Sequence, residues 1–103
     1  MIPTGVFAIP LDHPCLPGHF PGSPIVPGVI LLAEVFALLC TAHPGMRVAG
    51  LLHAKFLRPV RPGEVVAVSS RATDACRVEF IGAIGNDRAL RGAVRLAPAP
   101  LPA

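Results

Sequence analysis

The sequence predicts an α+β domain in which an antiparallel sheet wraps around one central, buried helix. Three observations lead there. Val29 to Cys40 is the longest apolar stretch, with Glu34 as its single charge. Four strand-like runs follow it, and two of them alternate apolar and polar residues. Only short turn signals separate the runs, and 103 residues suit one small domain.

The elements follow in chain order. Gly5–Ile9 (GVFAI) is a short strand candidate. Pro10 to Gly28 is dense in proline and glycine and reads as an ordered, apolar loop. Pro27 and Gly28 then open the helix, where a missing N–H costs nothing. The helix runs from Val29 to about Ala42 and has no polar face, which predicts burial on nearly all sides. His43-Pro44-Gly45 stops it. Arg47–Arg58, Glu64–Ala72, Arg77–Ile84 and Arg88–Leu96 read as consecutive antiparallel strands, each with one apolar face. Pro62-Gly63, Thr73-Asp74 and Gly85-Asn86-Asp87 supply the turns. The expected boundaries are one domain over residues 1–97 and a Pro/Ala-rich tail over 98–103, within an extended, frayed stretch that begins at Ala97.

Composition narrows the classes. Hydrophobic residues make up 52% of the chain and charged residues 15%, which excludes general disorder. So apolar a small domain is expected to cover part of its surface with a partner subunit. The apolar stretch is too short to cross a bilayer, and no basic segment precedes an apolar one near Met1, so neither membrane insertion nor a signal peptide is expected. Cys15, Cys40 and Cys76 are odd in number and lack metal-ligand spacing, which reads as reduced thiols in a cytoplasmic protein. The net charge of +3 is spread along the chain with no basic run and no Trp or Tyr. That argues against nucleic acid and is compatible with an acidic protein partner.

Two motifs carry a resemblance. The stretch HFPGSPIVPGVILL, with Asp12-His13-Pro14, Leu16 and Gly18 before it, resembles the signature of the hotdog-fold 3-hydroxyacyl-acyl-carrier-protein dehydratases, the FabA/FabZ-like group, and above all its small aryl-polyene-type members. Lys55 to Glu64 (KFLRPVRPGE) resembles a second segment of the same group, in the expected order and spacing. The resemblance implies a hotdog fold. It also implies dimers joined edge to edge, with active sites at the dimer interface and, in some members, assembly into hexamers. It implies an acyl carrier protein as partner. The substrate rides on that protein's phosphopantetheine arm, so no further cofactor is expected.

The implied chemistry, loss of water from a 3-hydroxyacyl thioester to the trans-2-enoyl thioester, needs three groups. A base takes the proton beside the carbonyl, a donor stabilises the enolate oxygen, and an acid protonates the departing hydroxyl. His19 suits the base, since a neutral imidazole is available near neutral pH; a loop histidine that only braces a turn is the plainer alternative. Gly28 suits the oxyanion donor, because it sits at a helix N-terminus and a residue without a side chain permits close approach. It also suits a tight loop-to-helix turn, and the two roles are compatible. The resemblance implies that Phe20, Pro21, Gly22, Pro27, Val29 and Ala33 line the substrate site.

The acid departs from the pattern. The family carries Asp or Glu fourteen residues after the histidine, and here that position is Ala33. Glu34 follows it, about 100° away on an α-helix. Three readings of Glu34 stay open. It is the acid, re-aimed by a bulge or altered register; or it pairs across the dimer with an arginine such as Arg58; or the site lacks its acid and depends on a partner chain. His13 and His43 read as turn residues, and His53 as facing either an acyl tunnel or solvent. No histidine or cysteine spacing suggests a metal. The chain is expected to be dehydratase-like; a non-catalytic subunit of a heterodimeric hotdog dehydratase and a hotdog acyl thioesterase are the alternatives.

Overall fold

A computed structural model describes residues 1–13 and 25–100. The elements are β1 (Ile2–Phe7), α1 (Gly28–Ala42), β2 (Met46–Phe56), β3 (Val66–Ala72), β4 (Arg77–Ile84) and β5 (Asp87–Pro98). Local chemistry sets their ends. Pro27 caps α1 with an extended backbone, φ −59° and ψ 144°. At the other end Gly45 takes φ +81°, a conformation open to glycine, and turns the chain into β2. Asp74 closes the β3–β4 hairpin by accepting hydrogen bonds from the backbone N–H of Cys76 (2.7 Å) and Arg77 (2.8 Å).

All pairings in the five-stranded sheet are antiparallel, in the order β1-β3-β4-β5-β2. Only β3, β4 and β5 form a meander. The strand after the helix does not pair with its successor: β2 lies beside β5 at the far edge, and β1 takes the place beside β3. The expectation of four consecutive neighbours is corrected on that point. Propensity and alternation report that a segment is a strand, while the choice of neighbour depends on where the helix crosses. The last strand also reaches further than expected. Pro98 pairs with Met46, and the Ala99 N–H donates to the Gly45 carbonyl at 2.8 Å, so the start of the tail is part of the sheet.

The core lies between the sheet and one stripe of the helix. Val78 and Phe80 of β4, Leu90, Val94 and Leu96 of β5, and Val66 and Val68 of β3 point to that side. Leu31, Val35 and Leu39, one turn apart, meet them. Ser70 is the buried polar residue among those described, and its hydroxyl shares a 2.5 Å hydrogen bond with Thr4.

The expectation that α1 is buried on nearly all sides is corrected here. One stripe is buried; the opposite stripe, Val29, Ala33 and Ala37, is exposed. The sheet curves over one side of the helix only. An apolar outer stripe has no polar residue to signal that it lies outside, so periodicity alone could not find it. Leu51, Leu52 and Phe56 on edge strand β2 are exposed as well, and β2 carries two register shifts, between Val48 and Gly50 and between Leu51 and His53.

Candidate active site at the helix N-terminus

The start of α1 opens on a cavity of about 510 Å³. Its first wall is the approach to the helix: Ile25, Val26, Pro27, Gly28 and Leu31. Its second is the chain leaving β2, from Phe56 to Val60. The Val26 N–H donates to the Val60 carbonyl at 2.8 Å and fastens the two walls together. The lining is apolar apart from backbone and Arg58.

At the helix end, the Pro27 carbonyl accepts from the N–H of Ile30 (3.0 Å) and of Leu31 (3.3 Å). No side chain caps the helix and no acidic residue lies in its first turn. Its positive pole is therefore uncompensated by side chains of that turn, and an oxyanion placed before it would be stabilised. Gly28 is closely covered. A Cβ there would lie 2.7 Å from Cζ of Phe56, so the ring rests directly on the glycine. Phe56 is itself 46% exposed and forms one side of the cavity.

Arg58 is held by three acceptors. Its Nε donates to the Pro59 carbonyl at 3.1 Å, Nη2 to Glu64 at 2.8 Å, and Nη1 lies 3.5 Å from Asp87. Glu64 also accepts the Arg61 backbone N–H at 2.7 Å. That hydrogen bond, aided by the charges of Arg58 and Arg61, holds the Glu64 carboxyl below the usual carboxylate range. The loop from Arg58 to Glu64, which contributes the second wall, is thus clamped by an ion pair within the chain.

The structure brings together Pro27 and Gly28 of the expected site residues. His19, Phe20, Pro21 and Gly22 lie outside the described residues, as does Cys15. Val29 and Ala33 stand on the exposed stripe of α1, one turn apart and away from the cavity lining. Glu34 is half-buried on the helix flank, and among the described residues it forms no salt bridge. The helix is continuous from Gly28 to Ala42 without a bulge, so Glu34 stands about 100° around the helix from Ala33. Arg58, the suggested partner across a dimer, is engaged by Glu64 of its own chain. His53 is exposed and lies on the outer face of the sheet, opposite Ala93, so of its two expected orientations the solvent one holds. Among the described residues no group of three His, Cys, Asp or Glu could hold a metal ion, and no helix is long and apolar enough to cross a membrane. Reading motifs missed the second cavity wall, although its residues sit inside the KFLRPV segment.

A family model described as ApeI-like, ApeI dehydratase, matches residues 4–90. The chain belongs to the ApeI-like dehydratase family. Curated relatives of this ApeI-like chain include the 3-hydroxyacyl-acyl-carrier-protein dehydratase FabZ of Thermomicrobium roseum. That protein is 39% identical over 71 residues, which cover 61% of this chain and 48% of the relative. The FabZ of Caulobacter sp. strain K31 is 32% identical over 82 residues, covering 70% and 50%. The chain spans about half the length of these relatives. Among solved structures, the dehydratase heterocomplex ApeI:P from Xenorhabdus doucetiae superposes with a TM-score of 0.75 at 22% identity, over 89% of this chain and 83% of that one. An uncharacterized protein from Erwinia carotovora subsp. atroseptica gives 0.72 at 25% identity, over 90% and 80%. The ApeI-like chain has the hotdog fold.

Proposed function

We propose that this ApeI-like chain acts in the reversible dehydration of a 3-hydroxyacyl thioester, carried on an acyl carrier protein, to the trans-2-enoyl thioester. One observation carries the reading: the uncapped start of α1, at a glycine, faces an apolar cavity large enough for an acyl thioester. In this reading the carbonyl oxygen accepts the Gly28 N–H and gains negative charge as the α-proton leaves for the His19 imidazole. The C–O bond at the β-carbon then breaks, and the hydroxyl leaves as water with a proton from an acid. His19 lies six residues before Ile25, within reach of the cavity on chain length. The relatives' named activity and the HFPGSPIVPG motif support its role. Every step is acid–base chemistry, so no cofactor beyond the substrate's pantetheine arm is required. Free thiols at Cys40 and Cys76 fit a cytoplasmic setting.

The acid decides between two versions. Ala33 sits in the middle of the exposed apolar stripe, while Glu34 is turned to the flank. This favours a second hotdog subunit that covers the stripe and supplies the carboxylate. The structural neighbour named a heterocomplex supports that arrangement. The test is a dehydration assay on a 3-hydroxyacyl carrier-protein thioester with wild type, His19→Ala, Glu34→Gln and Ala33→Asp. The heterodimer version expects Glu34→Gln to match wild type and Ala33→Asp to gain activity in the isolated chain. Loss of activity in Glu34→Gln would return the acid role to Glu34. Thioester consumption without enoyl product, in every variant, would make the protein a thioesterase and end the dehydratase reading.

A further inference from the structure

The side of the sheet facing away from the helix carries a charge arrangement that the proposed reaction does not use. Antiparallel register places directly opposed residues on one face. Val78 opposes Val94 and Phe80 opposes Gly92 on the core side, so their alternates stand outside. There Arg77 opposes Arg95, and Arg91 is opposed by Lys55 of β2. Arg47 lies at the other end of β2, opposite Ala97. The Arg95 guanidinium reaches across to β2, its nearest nitrogen 3.5 Å from where a Cβ on Gly50 would lie.

These five cations are all exposed, and among the described residues none has a carboxylate within salt-bridge distance. They are more than half of the nine Lys and Arg in the chain. The one acid on the face, Glu79, is taken by Arg71 at 2.8 Å. Like charges set directly opposite each other destabilise a sheet. An isolated domain gains nothing from such an arrangement.

We propose that this outer face docks an acidic protein surface, a helix or strand edge presenting carboxylates. The charge arrangement selects the occupant. A second copy presenting the same face would set arginine against arginine, which disfavours a symmetric pairing of this face with itself. The residues between the cations are Ala93, Glu79, Ile81 and His53, which give neither an aromatic platform for unstacked bases nor an apolar wedge for lipid. The cations of this face are spread over three strands, which suits dispersed carboxylates. The cavity opens on the helix side of the sheet, so this contact is separate from delivery of an acyl chain and does not depend on the dehydratase reading.

The experiment is fluorescence anisotropy with a labelled alanine-based helical peptide bearing glutamate at every fourth position. Controls are the same peptide with glutamine, a DNA duplex, and vesicles containing phosphatidylserine. Arg95→Glu is compared with Arg61→Glu, which changes net charge equally but lies in the loop before β3. Arg91→Gln with Arg95→Gln removes two of the face's five unpaired positive charges without adding a negative one, and its melting temperature reports folding. The proposal expects wild type to bind the glutamate peptide in preference to all three controls. It expects a loss of about tenfold or more in Arg95→Glu and in the double glutamine variant, a loss under about threefold in Arg61→Glu, and binding that weakens with salt. Equal losses in Arg95→Glu and Arg61→Glu would overturn it, because net charge would then suffice. Tighter binding of the duplex or the vesicles would overturn it too, by assigning the face to another class of partner.

Discussion

Replacing Gly28 by alanine separates the site from the scaffold. The added Cβ would lie 2.7, 3.0 and 3.2 Å from three ring carbons of Phe56. Ordinary carbon contact begins near 3.5 Å, so the ring must retreat by roughly 0.8 Å. It can, because Phe56 is half-exposed on an edge strand and can swing outward. The cost of moving it is of order 1 kcal/mol. Alanine in place of glycine in the first helical turn returns up to about 1 kcal/mol. Net stability should stay within about 1 kcal/mol of wild type, and the melting temperature within roughly 6 °C. The cavity fares worse, since the displaced Phe56 ring is one side of the space in which the thioester must sit to reach the amide. Displacing a reacting group by about 1 Å costs on the order of 100-fold in rate. Thermal melts by circular dichroism and a coupled enoyl-thioester assay on the same preparation read both effects. Activity within about threefold of wild type would refute the placement of the thioester at this amide. A fall in activity together with a collapse of melting temperature would refute the claim that the glycine serves approach and not packing alone.

Other predictions test the scaffold. Phe80→Ala, at a side chain 1% exposed in the centre of the core, should destabilise the domain by about 3–5 kcal/mol, read by urea unfolding. Glu64 has its carboxyl held below the value of 4.5 by the Arg61 N–H and the neighbouring guanidiniums, so its stabilisation is present above that pH and is lost as pH falls through the lower, folded value. Glu64→Gln should therefore be less stable than wild type at pH 7, with the gap closing as pH falls below the ordinary carboxylate range, in melts taken at successively lower pH. A chain ending at Leu96 loses the Pro98 pairing with Met46 and the Ala99 bond to Gly45, and should melt several degrees lower, at about 1 kcal/mol for each hydrogen bond lost.

Much of the fold was legible because its boundaries rest on local chemistry. Pro27 and His43-Pro44-Gly45 bracket the helix, and β4 occupies the residues that the alternation of Arg77, Val78, Glu79 and Phe80 indicated. What was not legible depends on contacts distant in the chain. The neighbour of β2 follows from the crossing of the helix over the sheet, and no residue of β2 encodes it alone. The outer stripe of α1 is as apolar as its buried one, so the exposed side at Val29, Ala33 and Ala37 could not be told from composition. At the site, Gly28 was visible through its motif, while the wall from Phe56 to Val60 came into view only when the Val26–Val60 hydrogen bond joined two segments far apart in sequence. The in-chain pairing of Arg58 with Glu64 was equally hidden, although both lie in one motif.

The central claim is that a thioester rests between the His19 imidazole and the Gly28 amide. Exchange of the α-proton of a 3-hydroxyacyl thioester in D2O, followed by NMR, tests it without needing the acid. Wild type should incorporate deuterium at the α-carbon even where dehydration is slow, and His19→Ala should not. Exchange that persists in His19→Ala, or enoyl product formed at the wild-type rate by that variant, would contradict it.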